Sequence, residues 1–191
     1  MKRKPLIDSH LGKTDKTRQI GAITFTEATF TPNIKFPKHS HRKACFTLIH
    51  KGGYIETFER TVITAKPHSV IFRPPEESHS DSFGSSEVCS SLIEIESEWF
   101  EHLNRETTML NDPFWFDNGQ IVWQAMALCK EFREPDEVSQ LAIEGLAMEM
   151  LAKTVRKVRE RFTRTPPQWL MQVKELLHDQ FSHNLTLGYI A

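Results

Sequence analysis

The chain has 191 residues, of which 39% are hydrophobic and 26% are charged, and its formal net charge is -1. This composition is typical of a globular protein with room for one full domain and a smaller part. No apolar run approaches the ~20 residues of a membrane span, and the N-terminus lacks the apolar core of a signal peptide. Cys45, Cys89 and Cys129 are widely spaced and form no Cys-x-x-Cys pair, which favours reduced thiols and a cytoplasmic location.

The small net charge hides segregation along the sequence. Residues 1–19 carry six Lys/Arg against two Asp, and residues 153–164 carry six Lys/Arg against one Glu. Residues 54–120 carry four basic and thirteen acidic residues. These runs are either solvated surface or basic segments that face an acidic partner, which is the acidic middle of the fold or a polyanion.

Residues 1–19 show little periodicity and are predicted to form a flexible N-terminal arm. Residues 20–96 consist of short alternating segments separated by Gly, Pro and Ser. The predicted strands are 21–30, a strand after Pro32 that includes His39 and His41, 44–50, 54–58, 61–64, 69–72, 80–83 and 88–95. This spacing predicts an antiparallel barrel or jelly roll.

The periodicity becomes helical at Ser97, which is placed to cap a short helix over residues 98–103. A loop with apolar anchors is predicted over residues 111–116. Asp117 and Gln120 have the spacing of a capping box before a helix that ends at Pro135. A longer helix is predicted from Asp136 to about residue 162, so residues 97–164 form a predicted helical region.

The longer helix carries a narrow apolar seam with basic flanks. Such a seam favours a partner helix over simple packing on the barrel, and it predicts a homodimer. The predicted dimerisation residues are Met148, Leu151, Val155 and Val158.

Residues 165–191 are predicted to be a proline-containing linker and the start of a second domain. A helix with Trp169, Val173 and Leu176 on one face is expected to end near Phe181, and Thr186 can cap another helix. The sequence stops one turn into that element, so we expect the chain to be cut inside a second domain.

The candidate site centres on His39 and His41, which point to the same face of a strand because their spacing is two. Cys45 is the next potential metal ligand of the same parity. His79 follows a Pro-Pro turn that can aim it back at the first pair.

Three interpretations of these histidines are open. They are hydrogen-bonded histidines of the barrel, contacts for an effector, or ligands of a divalent metal with Cys45 as the fourth ligand. Cys45 is also a candidate effector contact, and Arg73 and Glu77 are further candidates for holding a polar or charged effector near the barrel mouth.

The layout resembles the two half-motifs of the cupin superfamily. The first is His39-x-His41 followed by the Gly52-Gly53 turn, and the second is the segment from Pro75 to His79. Two positions depart from the pattern: Cys45 or Phe46 stands where metal-binding cupins carry an acidic ligand, and Glu77 replaces the glycine of the second motif. The resemblance implies a cupin barrel, and the missing acidic ligand predicts no stoichiometric metal and no cofactor.

The segment from Trp169 to Ala191 resembles the opening of the AraC/XylS-type DNA-binding domain. Its features are the Leu176-Leu177 pair, a short polar turn, and a Leu-Thr-Leu start to the next helix at residues 185–187. The resemblance implies an α+β chain: a cupin-like barrel, a helical hairpin, and the first helix of a truncated helix-turn-helix domain.

The same resemblance implies the ligand-sensing and dimerisation portion of a transcription regulator rather than an enzyme. Its expected partners are a small-molecule effector, a second copy of the chain, and DNA through the missing C-terminal domain, with no membrane. Residues 1–19 are then a candidate lid over the effector. The alternative is a metal-dependent cupin enzyme, an oxygenase or isomerase, that uses His39, His41 and His79.

Overall fold

The computed structural model describes residues 6–7, 12–107, 110–163 and 168–179. In chain order the elements are β1 (Leu6–Ile7), β2 (Lys13–Ile20), β3 (Ile23–Phe30), β4 (Lys35–His41), β5 (Ala44–Lys51), β6 (Tyr54–Phe58), β7 (Val62–Ala65), β8 (Val70–Arg73), β9 (His79–Phe83), β10 (Val88–Ile95), α1 (Ser97–Thr107), β11 (Phe114–Phe116), α2 (Gln120–Arg133), α3 (Ser139–Thr163) and α4 (Gln168–Asp179).

The strands form two sheets. One has the order β1-β4-β9-β6-β7 and the other has the order β11-β8-β5-β10-β3-β2. All pairs are antiparallel except β1 with β4. The chain therefore has the α+β class that was predicted, with antiparallel sheets followed by helices.

The alternation of side chains along β5 separates two layers of the core. Ile49 packs in a cluster with Tyr54 and Phe83, which lie on the other sheet, so it faces the space between the sheets. Phe46 and Leu48 belong instead to the cluster that contains the buried residues of α2 and α3. Helices α2 and α3 thus cover the outer face of the six-stranded sheet, and each large side chain buried there contributes about 1.5–3 kcal/mol.

The structure contains every strand that the sequence predicts, with small shifts at the ends, and the described residues add three edge strands, β1, β2 and β11. Lys13–Ile20 is β2, paired with β3, so the second half of the predicted flexible arm is a strand. Its side chains are mostly exposed and several are basic, as is common for an edge strand. The strand was not predicted because it shows no alternation of apolar and polar residues. Phe114–Phe116, predicted to be loop, is β11 and pairs with β8.

Two predicted helix starts are wrong. Helix α2 begins at Gln120 after Gly119, which has φ 91° and makes no side-chain capping bond, so Asp117 and Gln120 form no capping box. Helix α3 begins at Ser139 rather than Asp136. Asp136 accepts hydrogen bonds from Val138 N and Ser139 Oγ, both at 3.0 Å, which fixes a turn before the helix.

The turn before His79 identifies which residue replaces the glycine of the second cupin half-motif. Glu76 has φ 60°, in the left-handed region that favours glycine, and its backbone N–H donates to the His41 carbonyl at 2.7 Å. Glu77 does not have a positive φ. The glycine position is therefore Glu76, and the assignment to Glu77 was one residue too late.

The predicted dimer seam on α3 is largely inside the chain. Leu151, Val155 and Val158 are 3%, 8% and 5% exposed, whereas Met148 is 49% exposed. Leu151 and Val155 belong to the cluster that packs on the six-stranded sheet. Three of the four named residues are thus buried within one chain and closed to a partner, and of the four Met148 alone is exposed.

The chain divides into two compact units, Met1–Val158 and Arg159–Ala191. The strands and the helices up to Val158 belong to the first unit. The second unit contains α4, close to its predicted position, and the helix predicted from Thr186 lies outside the described residues. No helix in the described part of the chain is long and apolar enough to cross a membrane.

Candidate ligand site

The three predicted histidines come together between the two sheets. His39 and His41 lie on β4, and His79 lies opposite His39 in the β4–β9 pairing. The ring centroids are 4.3 Å apart for His39 and His79, 4.9 Å for His39 and His41, and 5.2 Å for His41 and His79. Their nearest ring nitrogens lie within 4.8 Å of one another. The sequence prediction that these side chains converge is correct.

Backbone hydrogen bonds fix the orientation of two of the rings. His39 Nδ1 lies 2.9 Å from the Pro37 carbonyl, and His79 Nδ1 lies 3.1 Å from the Glu77 carbonyl. A carbonyl only accepts, so each Nδ1 carries the hydrogen and each neutral ring keeps a lone pair on Nε2. Burial lowers the pKa of His79 to about 3 and lowers that of His39, with Arg73 adding to both effects. The rings are therefore neutral acceptors at physiological pH.

A buried ion pair lies beside the histidines. Arg73 on β8 donates from Nε and Nη2 to the two carboxylate oxygens of Glu56 on β6, with the Nη2–Oε2 distance 2.9 Å. Arg73 also donates to Thr47 Oγ1 at 2.7 Å and to Tyr54 Oη at 2.8 Å. These partners occupy the guanidinium, so its role is first to neutralise Glu56 inside the barrel.

Asp81 adds a second carboxylate to the cluster. Its Oδ2 lies 3.9 Å from His39 Nε2, and its side chain is 10% exposed. Burial, with the nearby Glu56 charge, raises the pKa of Asp81 to about 8. Its Oδ1 is buried without a hydrogen-bond partner among the described residues, as is the hydroxyl of Ser90. The site therefore holds polar atoms whose bonding capacity is unused.

The cavity that these groups enclose is small, at about 30 Å³. Its walls are His39, His41, His79, Arg73, Asp81, Thr47, Tyr54, Ser90, Leu92 and the rings of Phe30, Phe36 and Phe83. A water or an ion fits such a space, whereas pockets for drug-sized molecules measure roughly 300–1,000 Å³.

Two predicted site residues stand away from the cavity. Cys45 packs with Ala28 and Leu92, and burial raises its pKa to about 12, so it is a buried thiol rather than a thiolate ligand. Glu77 contributes its backbone carbonyl to His79, and its side chain is not part of the cavity wall.

Sequence reasoning missed Glu56 and Asp81. Glu56 alternates with Tyr54 and Phe58, both buried, so an acidic residue at a core position was the available signal. Asp81 follows His79 by two residues on β9, so the two side chains point to the same face of the strand. Both signals are local, but neither says which histidine the carboxylate will meet.

A larger cleft of about 890 Å³ lies on the surface beside α1. It is lined by Arg42, Pro74, Pro75, Glu76, Ser97, Phe100, Glu101, Asn104, Arg105 and Asn111. No residue pattern in the sequence analysis indicated this cleft.

The sequence matches the family described as the AraC-like ligand binding domain over residues 21–151, more than half of the chain. The chain belongs to this family. A comparison with curated proteins found no match.

Solved structures with a similar fold include ToxT from Vibrio cholerae. The apo K231A form is 12% identical with a TM-score of 0.56, covering 89% of this chain and 69% of that chain. A second ToxT structure is 11% identical with a TM-score of 0.53, covering 89% and 70%. At these identities the likeness concerns the fold.

AerE from Microcystis aeruginosa is 14% identical with a TM-score of 0.40, covering 44% of this chain and 45% of that chain. The chain thus spans less than half the length of AerE.

Proposed function

We propose that the chain is the ligand-sensing and dimerisation portion of an AraC-type transcription regulator. The observation that carries the proposal is a polar, partly unsatisfied cluster enclosed within an AraC-like ligand-binding domain. In this proposal a cytoplasmic regulator binds DNA through a helix-turn-helix domain that begins within residues 165–191. The ligand changes the balance between arrangements of two such domains.

The proposed effector contacts are His39, His41, His79 and Arg73, which line the cavity. A metabolite larger than a few atoms exceeds about 30 Å³, so its entry requires the surrounding side chains to move apart. Cys45 and Glu77 do not line the cavity, so in this proposal they affect the effector through Arg73 and His79. Cys45 pairs with Arg73 across β5 and β8, and Glu77 orients His79.

The proposed dimer surface is the exposed side of α3. Leu141 and Met148 are 76% and 49% exposed and lie on one helix face with Gly145 between them. Because Gly145 has no side chain, a second helix can approach closely between the two apolar residues. The occupant we propose is the same helix of a second copy.

The competing function is a metal-dependent cupin enzyme, favoured by the three converging imidazoles. An enzyme converts its small molecule, whereas a sensor returns it unchanged. Compounds retained by the purified chain, identified by mass spectrometry, separate the two: a sensor releases them intact after incubation, and an enzyme yields product.

The regulator proposal is tested by fusing the whole chain to a DNA-binding domain that represses a reporter only as a dimer. Repression that changes several-fold on adding the retained compound supports the proposal. No repression with any retained compound, together with turnover of that compound, contradicts it.

A further inference from the structure

The surface cleft beside α1 is enclosed by segments that are far apart in sequence. Arg42 comes from the turn between β4 and β5, residues 74–76 come from the loop between β8 and β9, and Arg105 comes from α1. The volume of about 890 Å³ lies within the range of roughly 300–1,000 Å³ that is typical of small-molecule pockets. The cleft shares no lining residue with the cavity that contains the histidines, so it is a separate site.

The wall of the cleft carries charges of both signs. Arg42 and Arg105 contribute guanidinium groups, and Glu76 and Glu101 contribute carboxylates. Among the described residues, the side chains of Glu76, Glu101 and Arg105 form no ion pair. The two carboxylates repel a bare anion, and the two guanidinium groups repel a bare cation. The wall therefore fits a ligand that carries both a carboxylate and an ammonium group.

The uncharged part of the wall fits the backbone of such a ligand. Asn104 and Asn111 present carboxamides, which donate and accept hydrogen bonds as a peptide group does. Asn104 Nδ2 donates to Asn111 Oδ1 at 3.1 Å, so the two amides lie side by side. Pro74, Pro75 and Phe100 supply apolar surface in the same wall. These groups together match an amino acid or a short peptide with free termini.

The loop from Pro74 to Glu77 connects the cleft to the histidines of the cavity. Glu76 lines the cleft, and its backbone N–H donates to the His41 carbonyl at 2.7 Å. The carbonyl of Glu77 accepts the Nδ1 hydrogen of His79 at 3.1 Å. Glu76 has a φ of 60°, and strained backbone of this kind is found at ligand sites and switches. A ligand that contacts Glu76 therefore acts on the loop that holds two of the histidines.

We propose that the cleft beside α1 binds a free amino acid or a short peptide. Arg105 binds the ligand carboxylate, and Glu101 and Glu76 bind its ammonium group. Binding shifts the loop at Glu76 and thereby moves His41 and His79. The cleft is a second ligand site in addition to the cavity, and the inference does not rest on the regulatory role, because binding is measured on the chain itself.

The test is an NMR titration of the isotope-labelled full chain with each of the common amino acids and with tripeptides Gly-Xaa-Gly that have free termini. At least one compound should bind saturably, one per chain, with a Kd of about 1 mM or lower. Which set contains that compound distinguishes a free amino acid from a peptide. Acetylating its amino group or amidating its carboxylate should each weaken binding about fivefold or more, because each change removes an ion pair.

Variants of the cleft locate the binding site. Arg105→Gln and Glu101→Gln should each weaken binding about fivefold or more. The matched controls are Arg60→Gln, in the turn between β6 and β7, and Glu98→Gln, in the first turn of α1, and both should bind as the unaltered chain does. Neither control residue lines the cleft, and all four positions are exposed, so the substitutions leave the core intact.

The imidazole signals report the coupling to the cavity. Those of His41 and His79 should shift on binding, whereas that of His50, which bonds Ser91 Oγ at 2.7 Å away from the loop, should not. Absence of saturable binding by every compound overturns the inference. Equal binding by the cleft variants, or by the capped compounds, overturns it too. Saturable binding that leaves the His41 and His79 signals unchanged contradicts the coupling.

Discussion

Arg73 and Glu56 form a two-point ion pair inside the barrel, on neighbouring faces of the two sheets. The Glu56 side chain is fully buried and that of Arg73 is 10% exposed. Tyr54 Oη also donates to Glu56 Oε2 at 3.1 Å, so the carboxylate has three donors from two residues. A pair this well bonded fixes the geometry of the cluster beside it.

Replacing one member of the pair should destabilise the fold strongly. Glu56→Gln leaves the Arg73 charge buried and should lower the free energy of unfolding by about 3–5 kcal/mol. Urea denaturation measures the loss. Glu87→Gln, which removes the exposed pair with Lys51, should cost about 0–1 kcal/mol. Equal losses in the two variants would contradict the account.

Glu76→Gly should stabilise the protein. A non-glycine residue in the left-handed region costs about 1–2 kcal/mol, and the added freedom of glycine when unfolded returns part of that. A net gain of about 0.5–1 kcal/mol should raise the unfolding midpoint by about 1–4 °C. Glu77→Gly, one residue later and without positive φ, should lower it. A lower midpoint for Glu76→Gly would show that its side chain outweighs the strain.

The exposed face of α3 should carry the dimer contact. Leu141→Glu with Met148→Glu places charges on the proposed surface and should give a folded monomer by sedimentation. Val62→Glu changes an apolar residue of similar exposure, 60%, on β7 and should leave the dimer intact. A dimer that persists in the double variant, or a monomeric unaltered chain at tens of micromolar, would place the interface elsewhere or exclude it.

Glu94 should make stability depend on pH. Burial, opposed by Lys43, raises the pKa of Glu94 above its usual value, so the folded state binds its proton more tightly than the unfolded state. Its contribution is present below the unfolded pKa and is lost as pH rises through the folded pKa. At pH 7, Glu94→Gln should therefore be more stable than the unaltered protein. Its free energy of unfolding should also decline less as the pH rises above ~4.5. Thermal unfolding measured across this pH range checks the prediction. The same dependence of the unfolding midpoint on pH in both proteins would refute it.

Local pattern was sufficient for much of the fold. Strand parity placed His39 and His41 on one face, and the Pro-Pro turn brought His79 to them, because both effects act within a few residues. The same reasoning found β3 to β10 and the helices, with errors at the ends. It failed at β1, β2 and β11, since edge strands need a neighbour rather than an apolar face of their own.

Long-range packing decided the rest. The carboxylates that complete the cluster, Glu56 and Asp81, reach it through the pairing of β6 with β9 and of β9 with β4. The stripe on α3 was visible as a period, but whether Leu151 faces its own sheet or a second chain depends on where the helix docks. Periodicity reports which residues share a face. What that face meets is set by contacts between segments far apart in sequence, and no local spacing encodes them.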